Sequence, residues 1–310
     1  MTVNPRTLPI RRGIIRYPAY VPVTTFGEKY PLDKLIQPYL PRLAQAAMVS
    51  FHYARQISIP LRVPLFVDSG GFVSLFDNAR IKKLDKLGVL EIAIEGDVQK
   101  IHPRDVLDLQ ERIADVAFTL DFPIPLNMQK KEARRRQRLT INNGLWALAN
   151  RRRKDLPLFA SVQGWDAESA RECAREYRHC GFDGIAIGGL VPRARNLSLI
   201  LPIVEAVRRE VPDLPLHVFG LGKPGMTERL FEVGVDSVDS SSYVKLAADG
   251  RLWSHPEYQV SDPSPSERLH LALCNLATAT GRTLPLSASR LVFMTHALAA
   301  NPDSPLSELP

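Results

Sequence analysis

The chain has 310 residues, 45% of them hydrophobic and 24% charged, and 40 Lys+Arg against 33 Asp+Glu leave a net charge of +7. That composition excludes disorder as the main state, and no run approaches the roughly 18 apolar residues a membrane span needs. Three cysteines (Cys173, Cys180, Cys274) cannot build a disulfide framework. The first residues lack an apolar stretch with a cleavage site, so the expectation is a cytoplasmic globular protein.

Taken in chain order, short apolar runs at Leu65–Val67, Val116–Leu120, Leu158–Val162, Gly184–Ile187, Leu216–Phe219 and Ser237–Val238 predict buried strands. Helical periodicity fills the gaps. Pro103 opens one helix in the manner of a first-turn proline. Asp166–Cys180 predicts another, with Cys173 and Cys180 on its apolar face, and 194–210 and 226–233 supply two more. Repeated β–α units imply a parallel sheet. Polar or glycine residues follow almost every predicted strand: Asp68-Ser69-Gly70-Gly71, Asp121, Gln163-Gly164, Gly188-Gly189, Gly220 and Asp239. Strand ends that build one site favour a closed (β/α)8 TIM barrel, class α/β, over an open sheet. The barrel is expected over 1–253. Residues 254–310 read as a loop and C-terminal helices (267–279 and 287–300) packed on it.

The basic excess is local. Residues 130–154 hold Lys130, Lys131, Arg134, Arg135, Arg136, Arg138, Arg151, Arg152, Arg153 and Lys154 against one acid, Glu132. Such a stripe suits a phosphate backbone, whose neutralisation releases counterions. The plainer alternative is a solvated helix face.

Gly220-Leu221-Gly222-Lys223-Pro224-Gly225 matches a dinucleotide fingerprint on paper. It falls late in the chain, however, and Pro224 removes an amide where a pyrophosphate would sit. Seven scattered histidines form no H-x-x-H pair, and Cys274 with His270 and His296 makes a poor zinc set, so no metal is expected. Asp68, Asp121 and Asp239 stand out instead. An unpaired carboxylate beside an apolar run is costly, and two carboxylates at one anomeric carbon are equipment for glycosidic displacement.

Val67-Asp68-Ser69-Gly70-Gly71-Phe72, Ser161-Val162-Gln163-Gly164, Phe182-Asp183-Gly184-Ile185-Ala186-Ile187-Gly188-Gly189-Leu190 and Gly234-Val235-Asp236-Ser237-Val238-Asp239 resemble, in order and spacing, four motifs of the tRNA-guanine transglycosylases. The resemblance implies a (β/α)8 barrel that swaps one base for another without a redox cofactor or ATP. It makes Asp239 the nucleophile on C1′ and Asp68 the general acid/base. Ser69, Gly70, Gly71, Phe72, Asp121, Gln163, Gly188, Gly189, Leu190 and Gly220 would bind the base. Val73, Trp165 and Ser240–Lys245 depart from the family pattern, and its zinc-binding cysteines are missing from the C-terminal extension. These departures look like the DNA-modifying branch, DpdA, which inserts a 7-deazaguanine such as 7-cyano-7-deazaguanine into DNA. The basic segment and Lys245 would then serve the DNA, and a partner protein that opens the duplex is an expectation. A tRNA substrate and a catalytically silent nucleic-acid-binding barrel are the alternatives.

Overall fold

The computed structural model describes residues 6–25, 31–57, 62–94 and 96–282. The strands are β1 (Thr7–Ile10), β2 (Gly13–Arg16), β3 (Ala19–Pro22), β4 (Ala47–Ser50), β5 (Leu65–Asp68), β6 (Ala79–Leu84), β7 (Leu87–Ile94), β8 (Asp97–Ile101), β9 (Val116–Phe118), β10 (Leu158–Val162), β11 (Gly184–Ile187), β12 (Leu216–Val218) and β13 (Ser237–Ser240). Eight of them pair in parallel, in the order β3-β13-β12-β11-β10-β9-β5-β4. A parallel bridge between Val23 and Met48 joins the two end strands, so the sheet closes as a (β/α)8 barrel. All six expected strands are present.

Two barrel strands, β3 and β4, escaped the sequence reading, because Pro18 and Pro22 bracket one and the weak strand formers Ala44, Ala46 and Ala47 lead into the other. Also unforeseen were the antiparallel hairpin β1–β2 and the antiparallel sheet β6–β7–β8 between β5 and β9. Strand β6 (ARIKKL) is mostly exposed, which hid it from a reading based on apolar runs.

Strand alternation divides the core in two. Val21, Met48, Phe66, Phe118, Phe159 and Ala186 pack inside the barrel with Leu8, Ile10 and Ile15 of the hairpin. Leu65, Val67, Ile185 and Ile187 face the surrounding helices. Being in phase with Phe66, Asp68 points into the barrel.

Three aspartates pin the opposite end, where strands begin. Asp115, Asp183 and Asp236 accept from the backbone N–H of Leu65 (2.8 Å), Leu158 (2.9 Å) and Leu216 (2.8 Å). Each also holds an arginine, respectively Arg12, Arg151 and the Arg6/Arg208 pair. Asp115 precedes Asp121 by six positions and Asp236 precedes Asp239 by three, yet each pair lies at opposite ends of the barrel, so sequence proximity conceals opposite roles.

The helices follow the periodicity, with one correction. The helix expected over Asp166–Cys180 ends at Arg175, where the chain turns, and Cys180 is exposed rather than packed in the core, whereas Cys173 is buried. The helix Pro265–Ala279 begins at a Ser264–Glu267 capping box and packs against the helices Ser242–Ala248 and Pro31–Ile36. The expected helix 287–300 lies outside the described residues.

Candidate active site

The loops after the strands bring Asp68, Asp121, Gln163, Gly188, Gly189, Gly220 and Asp239 to one end of the barrel. The three carboxylates meet different surroundings there. Asp68, at the end of β5, is half-buried and accepts from the Gly70 amide at 2.5 Å and from Ser50 of the neighbouring strand. Desolvation pushes its pKa up to about 7, against the Gly70 bond, with the charges of Asp239 and Asp121 adding to the rise. A carboxyl balanced near neutrality can both give and take a proton.

Asp121 is buried and ordered from both sides. Ser69 Oγ donates to its Oδ1 at 2.8 Å and Gln163 Nε2 to its Oδ2 at 2.6 Å. Burial still raises its pKa. Gln163 is itself completely buried, and its Oε1 accepts from Ile124 N at 3.3 Å.

Two glycines are demanded by this packing. A Cβ on Gly71 would lie 1.9 Å from the carbonyl oxygen of Asp121, and one on Gly188 would lie 2.2 Å from Gln163 Nε2. Ser69 and Gly70 belong to the same turn, where Gly70 O accepts from His52 Nε2 at 3.1 Å. Leu190 is fully buried, and Phe72 is half exposed at the rim.

Asp239 is 7% exposed, and its Oδ1 accepts from the Gly220 amide and from His217 Nε2, both at 3.0 Å. Gly220, expected to bind the base, thus touches the carboxylate directly. His217 was missed because its neighbours Leu216 and Val218 read as an ordinary buried strand. Its signal was a polar residue in an apolar run, in register with Ser237 of β13. Also unforeseen was Arg193, 2% exposed, whose guanidinium reaches the carbonyls of Gly189, Ile124, Gly164 and Trp165 and so ties three of the site loops together.

The basic segment is divided by the fold. Its helix, Lys130–Asn150, starts at the site end and runs about 30 Å to the opposite end. Lys130, Lys131, Arg134 and Arg138 are exposed near its start, and among the described residues no carboxylate pairs with them. Arg135 and Arg136 bond Glu132 and the carbonyls of Ile81 and Pro123. At the far end Arg151 pairs with Asp183, Arg152 with Asp108 and Glu111, and Arg153 with Asp155. Lys245 is exposed on the helix that follows Asp239.

Among the described residues no group of His, Cys, Asp and Glu could hold a metal ion, and no helix is long and apolar enough to cross a membrane.

The queuine tRNA-ribosyltransferase family profile matches residues 49–283. The tRNA-guanine(15) transglycosylase of Methanococcus aeolicus is 25% identical over 251 residues, covering 79% of this chain and 37% of that protein. The queuine tRNA-ribosyltransferase of Marinobacter nauticus is 26% identical over 261 residues, 78% of this chain and 69% of the relative. That of Helicobacter pylori strain 26695 is 30% identical over 195 residues, 61% and 52%. The chain therefore spans little more than a third of the Methanococcus protein and about half of the Helicobacter one.

Proposed function

The chain belongs to the queuine tRNA-ribosyltransferase family, and from that premise we propose that it is a guanine transglycosylase replacing guanine in DNA with a 7-deazaguanine. The observation that carries the reading is the meeting of Asp68, Asp121 and Asp239 at the strand ends, each in a different environment.

Asp239, deprotonated, attacks C1′ of the nucleotide; a C1′–O bond forms, the C1′–N9 bond breaks, and its electron pair leaves with guanine. Asp68, protonated, supplies the proton that the departing base takes up. The incoming base then gives its N9 proton to Asp68 and attacks C1′, and the Asp239 carboxylate is released. Two displacements at one carbon retain configuration. Asp121, with Ser69 and Gln163, faces the base edge, where a carboxylate accepts from ring and exocyclic N–H groups. Gly188, Gly189 and Leu190 shape the pocket, and Phe72 offers a ring to stack on. A paired guanine must leave its stack to reach this depth, which a partner protein that opens the duplex would assist. Lys130, Lys131, Arg134 and Arg138, with Lys245, are placed at the end where a phosphate backbone would pass.

The departure from the family pattern at Ser240–Lys245, directly after the nucleophile, favours DNA. The names of the relatives favour the second reading, tRNA. Exchange of radiolabelled guanine into DNA and tRNA, run in parallel, decides. Label in DNA supports the first reading, label in tRNA alone replaces it with the second, and label in neither, with single-stranded as well as duplex DNA offered, overturns base exchange.

A further inference from the structure

His217 joins Asp239 to Ser237 across two adjacent strands. Its Nε2 lies 3.0 Å from Asp239 Oδ1 and its Nδ1 2.8 Å from Ser237 Oγ. A carboxylate only accepts, so Nε2 carries the proton, and in the neutral ring Nδ1 accepts from the Ser237 hydroxyl. The tautomer follows from the network. The imidazole is fully buried and caged by Phe219, Phe118 and Phe66, with ring centroids at 4.9, 5.1 and 6.4 Å. Ser237 is also completely buried. The ring therefore has a fixed orientation and its N–H a fixed aim.

Both this N–H and the Gly220 amide converge on Oδ1. Two donors on one oxygen divide the labour of the carboxylate: Oδ2 is the oxygen assigned to attack, and Oδ1 becomes the carbonyl oxygen of the glycosyl ester. We propose that His217, held by Ser237, is a positioning residue that promotes release of the covalent intermediate, acting with Gly220 as a two-donor cradle for the carboxylate as it leaves. In release, the base N9 bonds to C1′, the C1′–Oδ2 bond breaks, and its electron pair returns to the carboxylate, partly onto Oδ1. Donors already aimed at that atom stabilise the charge where it develops, as an oxyanion hole does. In the first step the same carboxylate loses charge, so the donors give it orientation but no comparable electrostatic help. The two half-reactions should respond unequally to His217. This rests on Asp239 being the nucleophile.

The test is single-turnover kinetics with an oligonucleotide or tRNA that takes label in the exchange assay, following adduct formation and its release by added guanine on denaturing gels. The variants are His217→Gln, which keeps a side-chain N–H, and the double variant His217→Leu/Ser237→Ala, which removes the donor and leaves no orphaned hydroxyl to strain the fold. In the double variant, release should slow at least about tenfold more than formation, the scale of losing one of two oxyanion donors. His217→Gln should recover most of that difference. Equal slowing of both steps in the double variant, unchanged release, or no recovery by Gln would overturn the proposal. Absence of an adduct in the wild-type protein would instead overturn the nucleophile assignment beneath it.

Discussion

Gln163 Nε2 donates to Asp121 Oδ2 at 2.6 Å from a wholly buried position, which fixes the orientation of that carboxylate. Ser69 Oγ holds the other oxygen, Oδ1, at 2.8 Å. Gln163→Ala should lower kcat/KM for guanine about tenfold to a hundredfold, mainly through KM, the scale of a lost hydrogen bond to a charged group. Asp121→Ala should lose base exchange almost entirely. Steady-state exchange with varied guanine concentration checks both.

Asp239→Ala should abolish covalent trapping of nucleic acid while binding persists. A denaturing gel after incubation with the nucleic acid reads the adduct, and an adduct surviving in the variant would remove Asp239 from the nucleophile's role.

Asp68 ties the stability of the fold to pH. Its folded-state pKa of about 7 lies well above that of an ordinary aspartate, so the folded protein binds the extra proton between these values. Its contribution to stability is therefore full below about pH 4 and is lost as pH rises through 7. Asp68→Asn, which has no charge to bury, should gain stability relative to wild type as pH rises from 4 to 8, with the difference vanishing near pH 4. Urea unfolding at the two pH values measures this. Exchange should be lost in the variant at every pH, because an amide cannot shuttle the proton.

Reversing charge at Lys130, Lys131 and Arg134 should weaken nucleic-acid binding and flatten its salt dependence by close to one unit of slope per lost phosphate contact. The same reversal at Arg152, at the distant end and paired with Glu111 and Asp108, should leave the slope unchanged. Fluorescence anisotropy across a salt series separates the two clusters.

Arg12→Met should destabilise the fold by about 3 kcal/mol, because the completely buried Asp115 would lose its ion-pair partner. Activity per folded molecule should be unchanged, since this pair sits where strands begin. Denaturant unfolding alongside exchange assays reads both quantities.

The strands at the centre of the barrel were legible because parallel strands covered on both faces are continuous apolar runs: Gly184–Ile187 was located to the residue. Asp68, Asp121 and Asp239 were legible because a carboxylate next to such a run is too costly to be incidental. Strands β3 and β4 were not, for Pro18 and Pro22 bracket the first and the weak strand formers Ala44, Ala46 and Ala47 lead into the second, and the charged edge of β6 gave no apolar signal at all. Cys180 shows the same limit from the other side, since the helical spacing continued past the point where the chain actually turned.

By itself the sequence determined the class of fold, the family motifs and the three acids, because burial patterns and desolvation costs are written locally. Which groups touch was decided only by closing the barrel. That step aimed His217 at Asp239, put Asp115 and Asp236 at the opposite end from Asp121 and Asp239, and split one run of positive charge across about 30 Å of helix. Contacts between strands depend on register and closure, and neither is a property of any single stretch of chain.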